Sequence, residues 1–158
     1  MDGARFRFLY RQGEGTIDRR EFWRASWPVM AIVVALTLIW FVVRPREARD
    51  LAHEGLLDWT VAATYLYLMI YVFALFLCAI AQYFVSAKRF ADLGRPQGFA
   101  GLALFAIFLA AAANWYQPRS EETMPLWLTW AFDAAALAVA AWSVAELGFV
   151  EGPKRGAE

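Results

Sequence analysis

Four long stretches without charge constrain this chain more than any other feature. The first lies between Arg24 and Arg44, nineteen residues from Ala25 to Val43. The second lies between Asp58 and Lys88, twenty-nine residues over 59–87. The third runs from Pro96 to Pro118, and the fourth from Thr123 to Ala145 with one charge inside it, Asp133. About twenty residues at 1.5 Å each cross the hydrocarbon core of a bilayer. Lipid offers no hydrogen bonds to an exposed backbone, so a span must be a helix or part of a closed barrel. No alternating barrel pattern is present. The expectation is an all-α integral membrane four-helix bundle with spans at 25–43, 59–87, 96–118 and 123–145. The second run exceeds the core thickness, so its helix tilts or extends beyond it.

Composition supports this reading. Hydrophobic residues make up 61% and charged residues 19%, where a soluble domain is nearer half and a quarter. Fifteen basic and fifteen acidic residues cancel, which leaves no basic field for nucleic acid. A single cysteine, Cys78, excludes an internal disulfide, and a single histidine, His53, excludes a histidine-rich metal cluster. Cys78 reads as a small apolar helix residue and His53 as a solvated loop residue. Neither a cofactor nor a metal is expected.

Basic residues set the orientation. The N-terminal segment 1–24 has Arg5, Arg7, Arg11, Arg19, Arg20 and Arg24. Lys88, Arg89 and Arg95 follow the second run, and Lys154 and Arg155 lie in the tail 146–158. These eleven face one side, against Arg44, Arg46, Arg49 and Arg119 on the other. The richer side is expected to be cytoplasmic, with both termini inside. Trp40, Trp59, Trp115, Tyr116 and Trp127 fall at the outer helix ends, and Trp23, Trp27, Tyr83 and Trp142 near the inner ends, as aromatic belts require. Mostly polar residues precede the first apolar run, unlike a signal peptide, so the first helix is expected to remain in the mature chain.

Asp18 followed by Glu21 has capping-box spacing, and Ile17 with Phe22 has the spacing of a hydrophobic staple. The first helix is therefore expected to begin near Arg19, with a turn or two in the cytoplasmic interface. Arg19, Arg20 and Arg24 would meet an anionic leaflet there.

Two segments resemble a known family. They are Gly15-Thr16-Ile17-Asp18-Arg19-Arg20-Glu21-Phe22-Trp23 and Arg89-Phe90-Ala91-Asp92-Leu93-Gly94-Arg95-Pro96-Gln97-Gly98-Phe99. Together they resemble the DUF805 family of small bacterial inner-membrane proteins. That family has G-R-x-S-R-x-E-[FY]-W before its first helix and R-L-H-D-x-G-x-S-G-W in a later cytoplasmic turn. The first motif is matched at Arg19, Arg20, Glu21, Phe22 and Trp23. In the second, Arg89, Asp92, Gly94 and Gly98 remain, while Ala91, Gln97 and Phe99 replace the family's histidine, serine and tryptophan. The tail Gly152-Pro153-Lys154-Arg155-Gly156 is faintly similar to the family's G-x-N-x-Y-G ending. The resemblance implies a bacterial inner-membrane location and no reaction.

Two groups of residues are candidates for a site. On the cytoplasmic side, Arg89 and Asp92 lie in the turn between the second and third helices, at a spacing that pairs across one helical turn. Gly94 and Gly98 suit a tight reversal, and Pro96 suits a helix start. Arg19, Arg20, Glu21 and Trp23 share that side, so a charge network is expected to join Glu21 to Arg89 and Asp92 to Arg19 or Arg20. Within the membrane, Asp133 is expected about ten residues into the fourth helix, roughly 15 Å from its outer end. An ionisable group there requires a partner, a proton or water. Thr37, Tyr67 and Tyr71 come to similar depth, with Asn114 nearer the outside. Glu146 is expected opposite Arg24 or Lys88. The alanines of the fourth helix suit close packing or an oligomer seam. No G-x-S-x-G, Walker loop, H-E-x-x-H or cysteine pair is present, so an enzyme is not expected. The partners expected are the bilayer, anionic headgroups, and a second copy or another membrane protein. The first functional expectation is a structural or regulatory membrane subunit. Its rivals are a small transporter or channel using Asp133, and an anionic-lipid-binding protein.

Overall fold

The computed structural model describes residues 2–43, 59–120 and 123–152. His53, the arginines at 44, 46 and 49, and the tail from Pro153 onward, including Lys154 and Arg155, lie outside the described residues. Five helices occur among the described residues, with no strands: α1 (Gly3–Arg11), α2 (Arg19–Val43), α3 (Trp59–Asp92), α4 (Ala100–Tyr116) and α5 (Leu126–Phe149). Short 3-10 turns at Gln97–Phe99 and Gln117–Arg119 extend α4 at both ends. Among the described residues four segments are long and apolar enough to cross a membrane: Arg19–Val43, Trp59–Asp92, Gln97–Arg119 and Leu126–Phe149.

Local signals explain the helix boundaries. Asp18 Oδ1 accepts the Glu21 backbone N–H at 2.6 Å, capping α2. Ile17 and Phe22 are both buried in one cluster, as a staple requires. Pro28 sits inside α2. The end of α3 is a Schellman motif. Arg95 N–H donates to Phe90 O at 2.8 Å, Gly94 N–H to Ala91 O at 3.1 Å, and Gly94 holds φ 69°. A side chain other than glycine is strained at that φ.

Packing differs along the bundle. Through the membrane, α2 lies on α3 and α4 on α5, and α3 links the two pairs through α4. Large apolar side chains such as Leu66, Met69, Phe73, Phe105, Phe108 and Leu137 are exposed along the flanks, which suits a lipid solvent. The dense core lies at one end. There Leu9, Ile17, Phe22, Ala25, Val85, Phe90 and Leu147 form a single buried cluster, with Val85 and Phe90 wholly inaccessible.

Two features of this end depart from the sequence expectation. Segment 1–24 is not simply a polar leader. Its residues Gly3–Arg11 form α1, which packs on α3. The second helix continues beyond Ala87 to Asp92. Lys88, Arg89 and Asp92 are therefore on its last turns and not in a connecting loop. Charge ends an apolar run, but it does not end a helix that has protein to pack against.

Candidate functional site

The site is built on the last turns of α3. Lys88 and Arg89 are adjacent and almost wholly buried, with 0% and 1% relative exposure. A buried cation needs acceptors, and the two side chains find them on different helices.

Lys88 Nζ donates to Leu9 O at 3.2 Å, to Gln12 O, and to Phe84 O of its own helix at 3.4 Å. It also lies 5.2 Å from the centroid of the Phe8 ring and 5.7 Å from that of Phe84, within cation–π range. Leu9 and Gln12 are at the C-terminal end of α1, where carbonyls lack helical partners and the helix dipole is negative. Lys88 thus caps α1 from a neighbouring helix.

Arg89 does the same for α5. Its Nε donates to Leu147 O at 3.1 Å and its Nη2 to Val150 O at 2.5 Å, while Nη1 pairs with Asp92 Oδ2. Val150 is the C-cap of α5. Trp23 adds a third bond at this end, its Nε1 donating to Gly148 O at 3.1 Å. A Cβ at Gly148 would lie 2.6 Å from Trp23 Cζ2, so the indole edge rests where only glycine leaves room. A Cβ at Gly152 would lie 2.8 Å from Asp92 Oδ2, so the chain after α5 presses on the Arg89–Asp92 pair.

The remaining charges form a rim. Glu21 pairs with Arg5 of α1, Arg95 with Glu146 at 2.8 Å, and Arg19 approaches Glu151 at 3.9 Å. Tyr10 Oη donates to Ala25 O at 2.9 Å, and burial raises its pKa above the ordinary tyrosine value. Beside the rim is an open recess of about 610 Å³ lined by Arg19, Arg20, Glu21, Arg89, Asp92 and Glu151, among others. Among the described residues its lining carries four carboxylates and three arginines, counting Asp18. It is of mixed sign and is not a basic anion pocket.

The expected network is thus corrected in its pairing. Glu21 is joined to Arg5, not to Arg89. Asp92 is joined to Arg89 of its own helix, with Arg19 turned to Glu151. Glu146 meets Arg95 rather than Arg24 or Lys88. The charged residues do share one end of the bundle, but placing them on one face does not fix which pairs form. Gly94 has the reversal geometry expected of it. Gly98 lies in the 3-10 turn before α4 with open space around its Cα. The sequence reading missed Lys88 and Gly148 as structural keys. The signal was present for α1 in the spacing of Phe6, Leu9 and Tyr10, the three- and four-residue step of an amphipathic helix.

The intramembrane candidates are divided between two seams. Asp133 is half-exposed, and its Oδ1 accepts from Asn114 Nδ2 at 2.7 Å. Asn114 Nδ2 also donates to Ala110 O at 3.0 Å. These residues belong to the α4–α5 seam. Because α5 begins at Leu126, Asp133 lies about 10 Å from the helix start at 1.5 Å per residue, shallower than expected. Thr37, Tyr67 and Tyr71 lie instead on the α2–α3 seam. Thr37 Oγ1 lies 3.3 Å from Tyr71 Oη, and Tyr67 Oη donates to Leu36 O at 2.6 Å. The Tyr71 ring stacks on Trp40 and on Tyr67. Depth alone selected these three as partners for Asp133, and the azimuth of each helix separates them. Polar side chains bonded across helices act as glue within the bilayer.

Among the described residues no group of three or more metal-ligating side chains converges. Comparison with family models, with curated proteins and with solved structures finds no match to this chain.

Proposed function

We propose that the chain is a structural or regulatory subunit of a bacterial inner membrane, non-catalytic, with both termini cytoplasmic. One observation carries this reading. The two most deeply buried cations, Lys88 and Arg89, are spent on holding α1 and the end of α5 to α3. Apart from the Arg89–Asp92 pair, the donor contacts described above are directed at the chain's own backbone. That is the arrangement of a platform, a rigid charged end on a helix bundle, and not of a site that awaits a substrate.

The excess of basic residues at this end supports the cytoplasmic assignment. The resemblance of the Arg19–Trp23 and Arg89–Gly98 segments to the DUF805 family supports the bacterial inner-membrane location. The motif residues have roles that fit a structural signature: Trp23 on Gly148, Arg89 on Asp92 and the end of α5.

The rivals have less support. A transport path through Asp133 needs a polar route, whereas Asp133 sits on a flank with Ala110, Ala111, Ala136 and Leu137. An anionic-lipid site needs surplus positive charge, and among the described residues that line the recess carboxylates outnumber arginines.

The test is native mass spectrometry of the protein extracted from its own membrane in mild detergent. A stoichiometric second membrane protein, lost in Arg20→Glu or Glu151→Arg while the bundle remains folded, is the expected result. A protein that carries no partner under any mild extraction sinks the subunit reading.

A further inference from the structure

Above the platform, between α2, α3, α4 and α5, lies a cavity of about 220 Å³. Its lining is apolar apart from Gln82, Ser86 and Ser143. Two of these polar groups have no partner at a buried atom, Gln82 Oε1 and Ser143 Oγ. Ser143 is 8% exposed. Buried polar groups are almost always bonded, so both point to an occupant.

We propose that this cavity is a lateral binding site for a neutral amphiphile of the long-chain alcohol class, an apolar chain ending in one hydroxyl. The chemistry selects the class. Among the described residues no ionisable side chain lines the cavity, so a phosphate or an ammonium would enter without a counter-charge, which is costly in an apolar site. Gln82 Nε2 is already engaged by Ser26 Oγ at 3.2 Å and Ser86 Oγ at 3.4 Å, so the other end of the amide remains. Its oxygen requires a donor, which an ester or ketone carbonyl does not have. A hydroxyl donates to Gln82 and accepts from Ser143 in one step. It also meets the amide whichever of its two ends faces the cavity.

Water alone fits less well. A volume of this size holds about seven water-sized units at ~30 Å³ each, and each water needs two to four polar partners. Three polar side chains anchor only a few of them, and the rest of the wall is apolar. Access is from the side, because Met30, Ile107 and Val144 line the cavity and are also 42%, 50% and 42% exposed on the lipid flank.

The test uses the full chain in phosphatidylcholine vesicles and a medium-chain aliphatic alcohol carrying a terminal diazirine, with its methyl ether as control. Irradiation is expected to place adducts on the α3 and α5 peptides around Gln82 and Ser143, competed by octan-1-ol. The ether lacks the donor and should label about fivefold less, the factor that one net hydrogen bond gives. Ser143→Ala should lower alcohol labelling by a similar factor with its melting temperature kept or raised, because it deletes an unpartnered hydroxyl. Ala103→Phe fills the cavity and should abolish the adducts without touching a polar group. Equal labelling by alcohol and ether, adducts elsewhere, or adducts that survive both variants overturns the proposal and leaves a cavity with water only.

Discussion

Lys88→Met removes the ammonium and keeps most of the aliphatic stem, so it isolates the polar part of the α1 clamp. The wild-type Nζ makes two bonds to the end of α1, at Leu9 O and Gln12 O. Bonds to a charged donor contribute about 1.5–3 kcal/mol each, a gross loss of about 3–6 kcal/mol. Part is returned, because the variant no longer buries a cation. The thioether also keeps contact with the Phe8 and Phe84 rings. A net loss of about 2–4 kcal/mol follows, and it falls on one element. Helix α1 is short, carries no span, and docks chiefly on α3. It should detach locally while the four long helices stay packed. At 1.4 kcal/mol per tenfold, amide hydrogen exchange in Gly3–Arg11 should rise by about 30- to 700-fold, with exchange in α4 and α5 little changed. Lys88→Arg should restore part of the protection. Unchanged exchange in α1, or loss of protection spread evenly through the bundle, would refute the idea that Lys88 serves as a remote cap.

Gly148→Ala places a methyl group against the Trp23 indole and should lower stability by about 1–3 kcal/mol, the usual cost of overpacking; thermal melting in detergent reads it, and Trp23→Phe on the same background should recover most of the loss. Exchanging the charges of Arg5 and Glu21 tests the rim pair: each single swap should weaken α1 docking by no more than about 1 kcal/mol, and the double swap should restore it, as followed by limited proteolysis of the N-terminal segment. Asp133→Asn should keep assembly and cost less than about 2 kcal/mol, because the carboxyl is half-exposed and bonded to a single amide; collapse of the protein on gel filtration would show a deeper role. Tyr10 supplies a pH dependence. Its folded pKa is raised, so its contribution is fully present below the unfolded pKa of about 10 and is lost as pH rises through the higher folded value. Tyrosinate absorbance should therefore show a late-titrating component, and Tyr10→Phe should lower its amplitude by one group.

Which features were legible in the sequence depends on the range of the forces behind them. The four spans follow from composition, since a charge-free run of this length in lipid has helix as its solution. The cap at Asp18, the staple of Ile17 on Phe22 and the reversal at Gly94 follow from neighbours in the chain. Helix α1 carried a weaker signal, three apolar residues at helical spacing among arginines, and its docking draws on distant partners such as Lys88, seventy-nine positions away from Leu9.

The sequence by itself determined that there are four long apolar helices and which charged residues gather at one end. Hydropathy and local hydrogen bonding are properties of a segment, and they need no knowledge of its neighbours. Only the tertiary structure decided that Lys88 and Arg89 diverge to cap α1 and α5, that Glu21 takes Arg5, and that Asp133 meets Asn114 and not Thr37, Tyr67 or Tyr71. Those outcomes depend on the rotation of each helix about its axis. A helix that is apolar on every side carries almost no information about that rotation. It is fixed by the fit of particular side chains, such as the Trp23 indole on Gly148, and by the need of every buried cation for acceptors.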